Sequence, residues 1–203
     1  MKLAIFVEGQ TEKDALPEFF RRWLDSQLPG KRIAIHAVEL SGAGGYLRQF
    51  AKRVRIALGD SQVVGAVGLI DLYGSSLSYP DGTTQARYQW AKRELEKQVN
   101  DIRFRQHFAV HETEAWLLSE PNIFPGGVAQ ILQNLDKPEN VNFQNPPSVR
   151  LKQIYQQQLG KKYGKPLEGS RLFARLDPEL AARKCPHLRL LLKDLLDMTQ
   201  GVN

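Results

Sequence analysis

Short apolar segments alternate with segments of helical periodicity through the first 120 residues, and this alternation limits the folds that the chain can adopt. Residues 2–7 and 63–70 are almost continuously apolar, as expected of parallel strands covered on both faces. Strands that alternate with helices predict an α/β fold with a doubly wound, mostly parallel sheet flanked by helices. The remaining strands are predicted at 33–40 and 104–110, and the helices at 14–28, 46–58 and 84–99.

The character of the sequence changes after Pro121. Glycine and proline clusters there separate short stretches of helical pattern at 127–135, 148–159 and 187–198. We therefore expect a core of residues 1–120 and a helical extension of residues 121–203 that packs on it.

Composition narrows the class of protein. The chain has 203 residues, enough to bury a substantial apolar core, and its single cysteine excludes an intramolecular disulfide and a thiolate zinc cage. The single cysteine favours a reducing cytoplasm as the compartment. No stretch approaches the roughly 18 apolar residues that a membrane span needs. The formal net charge of +6 favours anionic partners such as nucleic acid.

Acidic residues follow three of the four predicted strands. Glu8 follows the first strand, Asp71 the third, and Glu112 and Glu114 the fourth. Because the carboxyl ends of parallel strands meet at one edge of a sheet, these four side chains are predicted to converge there. Clustered carboxylates repel one another unless a cation joins them, and hard oxygen ligands suit Mg²⁺ or Mn²⁺. The four acids are therefore the candidate catalytic and metal-binding residues.

Two nearby residues are secondary candidates. Glu12 lies just after the first strand, and His111 adjoins the acids and could transfer a proton near neutral pH. The alternative for each acid is a structural role as a helix cap or an exposed loop residue. Residues two apart on a helix do not share a face, so one of Glu112 and Glu114 should be structural unless the segment bends.

Residues 41–45, Ser-Gly-Ala-Gly-Gly, precede the second predicted helix. The backbone NH groups of Gly44 and Gly45 could bind a phosphate, although the lysine of a P-loop is missing. An ordinary turn is the alternative.

Several motifs resemble a known family. The string Phe6-Val-Glu-Gly-Gln-Thr-Glu12 resembles the first motif of Toprim domains, which topoisomerases, primases and overcoming-lysogenization-defect nucleases share. Further blocks, spread in order over nearly the whole chain, are similar to a bacterial Toprim-like family catalogued as domain of unknown function number 4276. They are Asp71-Leu-Tyr-Gly74, His111-Glu-Thr-Glu-Ala-Trp-Leu-Leu118, Pro147-Ser-Val-Arg-Leu151 and Cys185-Pro-His187.

The resemblance implies a Toprim-type fold, a divalent-metal site and a genomic association with ATPases in phage defence or related systems. Two departures bear on the site. Tyr73 stands where Toprim domains usually carry a second aspartate, so the metal would have to recruit Glu112 or Glu114. Val149 replaces a lysine that is frequent in the family, which makes Arg150 the candidate phosphate contact and Lys152 a substitute cation.

Taken together, these features predict a metal-dependent nuclease or the nuclease-like subunit of one. Glu8 and Asp71 would hold the ion, and Glu8 could instead act as a general acid or base. Two other functions stay open. One is a non-catalytic module that binds nucleic acid or an ATPase, and the other is an enzyme for a small phosphorylated nucleotide anchored at residues 42–45.

Overall fold

The sheet of this computed structural model is fully parallel, and its strand order is β2-β1-β3-β4. The structure describes residues 1–75, 77–133, 135–140 and 145–201. Within them the strands are β1 (Lys2–Val7), β2 (Ala34–Glu39), β3 (Val63–Asp71) and β4 (Phe104–Ala109). The sequence-based prediction of an α/β fold with a parallel sheet flanked by helices is confirmed.

Three helices connect these strands: α1 (Gln10–Gln27), α2 (Gly42–Leu58) and α3 (Thr84–Val99). The third matches its predicted bounds, whereas α1 and α2 begin earlier, at residue 10 rather than 14 and at residue 42 rather than 46. Their first turns consist of polar residues, glycine and one alanine, which show no apolar periodicity although the backbone is helical. Both helices therefore begin almost directly at the carboxyl edge of the sheet.

The two faces of the sheet have different covers. Apolar residues of one face, including Ala4 and Phe6 of β1, pack with α2 and α3. Those of the other face, including Leu3 and Ile5, share a buried core with α1 and with the helices that follow β4. This alternation explains the continuous apolar run of β1, because both faces of the strand are buried.

The chain after β4 is helical, as predicted for its C-terminal part. Its last helix lies across β3 and β4 on the face that also carries α1. A side chain at Gly65 of β3 would lie 2.5 Å from Met198 Sδ, so the absence of a side chain there permits this close packing. The helices are α4 (Glu114–Leu117), α5 (Gly126–Leu132), α6 (Pro147–Leu159), α7 (Ser170–Arg175), α8 (Pro178–Lys184) and α9 (Pro186–Gln200), with a π-helical turn at Lys165–Gly169.

The strand order determines where a ligand would bind. The chain passes from β1 to β2 on one side and then crosses to β3 on the other side of β1. Adjacent strands whose connections run in opposite directions leave a crevice at their carboxyl ends, where ligands bind in folds of this type. The crevice here lies between the ends of β1 and β3. Of the helices in the described residues, none combines the length and apolar character that a membrane crossing requires.

Candidate functional site

Glu8 and Asp71 lie together at the crevice between β1 and β3. Glu8 is the first residue after β1, and its Oε1 accepts a hydrogen bond of 2.7 Å from the backbone NH of Asp71. Because β1 and β3 are neighbours in register, the ends of the two strands hold these carboxylates side by side. Their predicted proximity is confirmed.

Two more acids reach the same place from different elements. Glu12 comes from the first turn of α1, and Glu114 from the start of α4 after β4. Thr113 Oγ1 donates a hydrogen bond of 3.3 Å to Glu12 Oε1, which connects the two segments. The side chain of Glu114 is only 1 % exposed and that of Glu12 11 % exposed. The carboxylates are thus withdrawn from water, and their mutual repulsion is stronger in the buried site than it would be in solvent.

A lysine from the helical extension enters this acidic group. Lys165 Nζ lies 3.2 Å from Glu12 Oε1 and 3.2 Å from Glu114 Oε2. The contact with Glu114 lacks hydrogen-bond geometry, and Glu114 Oε1 has no hydrogen-bond partner among the described residues. Lys165 therefore compensates the acids only in part.

The four acids and Lys165 surround a cavity of about 310 Å³ at the carboxyl edge of the sheet, and all except Glu114 line it directly. Gly9 and Gly42, next to or within the first turns of α1 and α2, also line it. Neither helix has a side-chain cap in the part of the chain that the structure describes. The NH of Gly42 donates a hydrogen bond of 2.7 Å to the backbone oxygen of Glu8, and the other NH groups of these first turns favour an anion nearby. The cavity thus offers carboxylates for a cation next to NH groups for an anion.

A larger depression of about 840 Å³ lies at the opposite edge, beside the first residues of β1 and β2. It is lined by the chain start and by residues 30–34, and it contains no comparable group of acids. Ligands in parallel α/β folds bind at the carboxyl edge. We therefore assign the candidate site to the smaller cavity.

The protonation equilibria of the acids reflect their burial. Burial raises the pKa of Asp71 well above its ordinary value; Lys165 opposes the rise, and the charges of Glu8 and Glu114 add to it. Burial also raises the pKa of Glu8, against the lowering effect of the hydrogen bond from Asp71, and it raises the pKa of Glu114. For Lys165, burial favours the neutral amine, but the charges of Glu114 and Asp71 outweigh it and raise the ammonium pKa. These three carboxyl groups are therefore protonated more easily than exposed ones, and an added positive charge would favour their ionised forms.

The family model described as "Domain of unknown function (DUF4276)" matches residues 7–196. The chain belongs to this family. All residues of the cavity named above lie within the DUF4276 match, so the site is built from the family's own domain. No curated protein and no solved structure matches the chain.

One predicted ligand of the DUF4276 site is placed elsewhere. The structure does not bring Glu112 into the cavity: its Oε2 accepts a hydrogen bond of 2.7 Å from Ser148 N, and its Oε1 one of 2.9 Å from Ser148 Oγ. Glu112 therefore binds the N-terminal turn of α6, where its charge also favours the helix dipole. Glu114, two residues later, faces the acidic group, which confirms that the two side chains do not share a direction.

His111 lies in the bend between β4 and these two acids. It has a left-handed backbone conformation with φ of 69°, unusual for a residue with a side chain, and the chain turns sharply there after β4. Its ring lies 5.0 Å from the ring of Tyr73, and burial lowers the pKa of the imidazole. Tyr73 OH is 2.8 Å from Thr84 Oγ1, so the tyrosine connects the loop after β3 to α3 instead of supplying a carboxylate.

The predicted phosphate contacts divide into two groups in the DUF4276 structure. Gly44 and Gly45 lie in the first turn of α2 and not in a loop, and a Cβ at Gly45 would lie 2.1 Å from the backbone oxygen of Leu40. Close packing against Leu40 therefore requires a glycine at position 45, independently of any role in binding phosphate. Arg150 and Lys152 lie on α6, half-buried and exposed respectively, and outside the residues that line the cavity.

Two residues of the site were missed from the sequence. Glu39 ends β2 and lines the cavity, but the strand was predicted to continue to Leu40, so its acidic end was not recognised. Lys165 lies in a glycine-containing stretch that was interpreted only as a separator between helices. Nothing in its spacing connects it to residues 12 and 114, because the contact is made by tertiary folding.

The donor set of the DUF4276 site fits a divalent cation in kind. Its carboxylate oxygens are ligands that Mg²⁺ and Mn²⁺ prefer, and the unpartnered Oε1 of Glu114 is a buried acceptor without a donor. However, among the described residues no three or more Asp, Glu, His or Cys side chains are arranged around one point as metal ligands. The ammonium of Lys165 lies between the carboxylates of Glu12 and Glu114. Binding an ion would therefore require these side chains to rearrange.

Proposed function

We propose that the protein is a divalent-cation-dependent phosphodiester hydrolase that acts on nucleic acid, either as a nuclease or as the nuclease-like subunit of a larger assembly. The observation that carries this proposal is the pairing of Glu8 with Asp71 at the crevice between β1 and β3, with Glu12 and Glu114 buried beside them. Such a group is costly to keep ionised, and a bound cation would relieve the cost.

In this proposal Glu8 and Asp71 hold Mg²⁺ or Mn²⁺, and Glu12 or Glu114 completes the ligand set. Glu112 is not part of it, because both of its oxygens are engaged by Ser148. A bound ion would polarise a phosphate oxygen and make a water molecule more acidic. The NH groups at the starts of α1 and α2 would orient the phosphate beside the acids.

The surface around the cavity supports a polyanionic substrate. Exposed cations lie on the two helices whose first turns line it, Lys13 on α1 and Arg48 on α2, and Lys161 and Lys162 lie shortly before Lys165 in the chain. Long-range attraction by these charges would concentrate a nucleic acid at the site. Arg150 and Lys152 on α6 stay predicted phosphate contacts for a longer substrate.

The test is incubation of the purified protein with plasmid DNA and with RNA in Mg²⁺ or Mn²⁺. We expect Glu8→Gln and Asp71→Asn to reduce cleavage at least a hundredfold, because each removes a charged ligand, while the exposed Glu18→Gln on α1 should cut as the wild type does. Chelation by EDTA should abolish cleavage. Equal cutting by the wild type and both cavity variants would contradict the proposal.

The compensating charge of Lys165 favours a second candidate function. Because Lys165 already supplies a cation, the group of acids can be stable without a metal. This is what we expect of a non-catalytic module that binds nucleic acid or an ATPase. The signature of this function is salt-dependent DNA binding, or co-purification of an ATPase, without metal-dependent cleavage. A role in phage defence, implied by the resemblance to Toprim-like proteins, belongs to both candidates as part of the proposal.

A further inference from the structure

Lys165 occupies the position that a cation would take in this group of acids. Its Nζ lies 3.2 Å from one oxygen of Glu12 and 3.2 Å from one oxygen of Glu114. These residues come from the first turn of α1 and the start of α4, so the ammonium joins segments that are far apart in the sequence. Asp71 also stabilises the ammonium, through its charge.

One ammonium does not satisfy four carboxylates. Glu8, Asp71, Glu12 and Glu114 together carry up to four negative charges, and Glu114 Oε1 is buried without a hydrogen-bond partner among the described residues. A doubly charged ion would interact with these acids more favourably than a single ammonium does. The group is therefore expected to prefer a divalent cation where one is available.

The segment that contains Lys165 lies at the N-terminal end of the helical stretch that continues into α7, so its movement would unwind only the first turn of that stretch. It forms a π-helical turn, Lys165–Gly169, between the end of α6 and the start of α7. Gly164 precedes it with open space around its Cα, and Leu167 within it is 61 % exposed. Single π-helical turns within or next to α-helices are frequent at functional sites.

We propose that Lys165 is a built-in counterion that holds the acidic group together without metal, and that a divalent cation displaces its ammonium from between Glu12 and Glu114. This inference deepens the proposed function and rests on it, since the cation is the one that function requires. The displaced turn, Lys165–Gly169, then loses its ionic contacts with Glu12 of α1 and Glu114 of α4.

The first experiment compares Mn²⁺ affinities by titration calorimetry. Lys165→Met removes the charge but keeps a side chain of similar length, and we expect it to bind Mn²⁺ about tenfold or more tightly than the wild type, because the competing charge is gone. Lys92→Met is the matched control. Lys92 Nζ also lies between two carboxylates, 3.5 Å from Glu96 and 3.6 Å from Asp194, but it is on α3, away from the cavity. The Lys92→Met variant should therefore bind Mn²⁺ as tightly as the wild type does.

The second experiment uses the wild type alone, so that it does not depend on the folding of a variant. Hydrogen exchange measured with and without Mn²⁺ should be faster in residues 165–169 when the ion is bound, and slower at the start of α1, where ligands are fixed. Lys165→Arg, which keeps the charge, should bind Mn²⁺ no more than about twofold differently from the wild type.

The outcomes separate this inference from the proposed function. Equal Mn²⁺ affinity of the wild type and Lys165→Met, or unchanged exchange in residues 165–169 on binding, would overturn the counterion role and leave a metal site in place. Failure of both proteins to bind Mn²⁺ at millimolar concentration would overturn the metal-dependent function together with the inference.

Discussion

Replacement of Glu112 by alanine separates a structural acid from the acids of the candidate site. The carboxylate accepts two hydrogen bonds from Ser148 at the first turn of α6, and the variant loses both. A hydrogen bond to a charged group contributes roughly 1.5–3 kcal/mol when it is buried. Glu112 is half-buried and acts as a helix cap, so we expect a total loss of about 1–2 kcal/mol in the free energy of unfolding.

This loss is measurable by calorimetry or by thermal denaturation followed by circular dichroism. For a chain of this length, 1 kcal/mol corresponds to about 2–4 °C in Tm, so Glu112→Ala should melt about 2–8 °C below the wild type in EDTA. Any increase in Tm produced by Mn²⁺ should be the same in both proteins, because Glu112 is outside the cavity. Cleavage of nucleic acid below the melting range should also be unchanged.

A double-mutant cycle with Ser148→Ala checks the mechanism. Ser148→Ala removes only the bond from the hydroxyl, so its effect and that of Glu112→Ala should overlap by about 0.5–1 kcal/mol in the double variant. Full additivity would show that the two side chains do not interact in solution. An unchanged Tm of Glu112→Ala would contradict its structural role at the start of α6. Loss of the response to Mn²⁺ would show that Glu112 is a metal ligand.

Other variants test the remaining features. Because burial raises the pKa of Asp71, the folded state binds its proton more tightly than the unfolded chain does, and stability falls as pH rises through that raised pKa. Asp71→Asn should therefore melt above the wild type at about pH 8 in EDTA and lose this advantage at about pH 4; a lower Tm at the higher pH would contradict it. Glu139, 3 % exposed, accepts three hydrogen bonds at the start of α9, so Glu139→Ala should lower the free energy of unfolding by about 3 kcal/mol in urea denaturation, and a change below about 1 kcal/mol would count against these bonds. Gly45→Ala should lose about 1–3 kcal/mol in the same assay through the clash with Leu40, whereas Gly44→Ala, which meets only the end of a flexible side chain, should not.

The strands of the core could be predicted because the residues of each strand show its burial as a continuous apolar run. The apolar runs of β1 and β3 are continuous, since both faces of each strand are covered, and acids stand at their carboxyl ends. Helix α3 matches its predicted bounds because its apolar residues are periodic up to Asn100, which caps it in a left-handed conformation. In these segments the neighbours in sequence are enough to define the structure.

Prediction was poorer where polar residues or short elements dominate. The first turns of α1 and α2 carry the cavity lining but no apolar pattern, so they were placed outside the helices. Helices α7 and α8 were not predicted, because segments of six and seven residues contain too few turns to show a periodicity. The helical state of such pieces depends on packing against the rest of the molecule.

The sequence by itself determined that acids would gather at one edge of a parallel sheet, since strand ends and chain direction place Glu8 and Asp71 there in any doubly wound fold. Only the tertiary structure decided which of Glu112 and Glu114 faces inward, because that choice depends on the docking of α6, whose Ser148 binds Glu112. It also brought in Lys165, whose contacts with residues 12 and 114 span most of the chain. Side-chain direction and long-range charge compensation are properties of packing, and no local pattern encodes them.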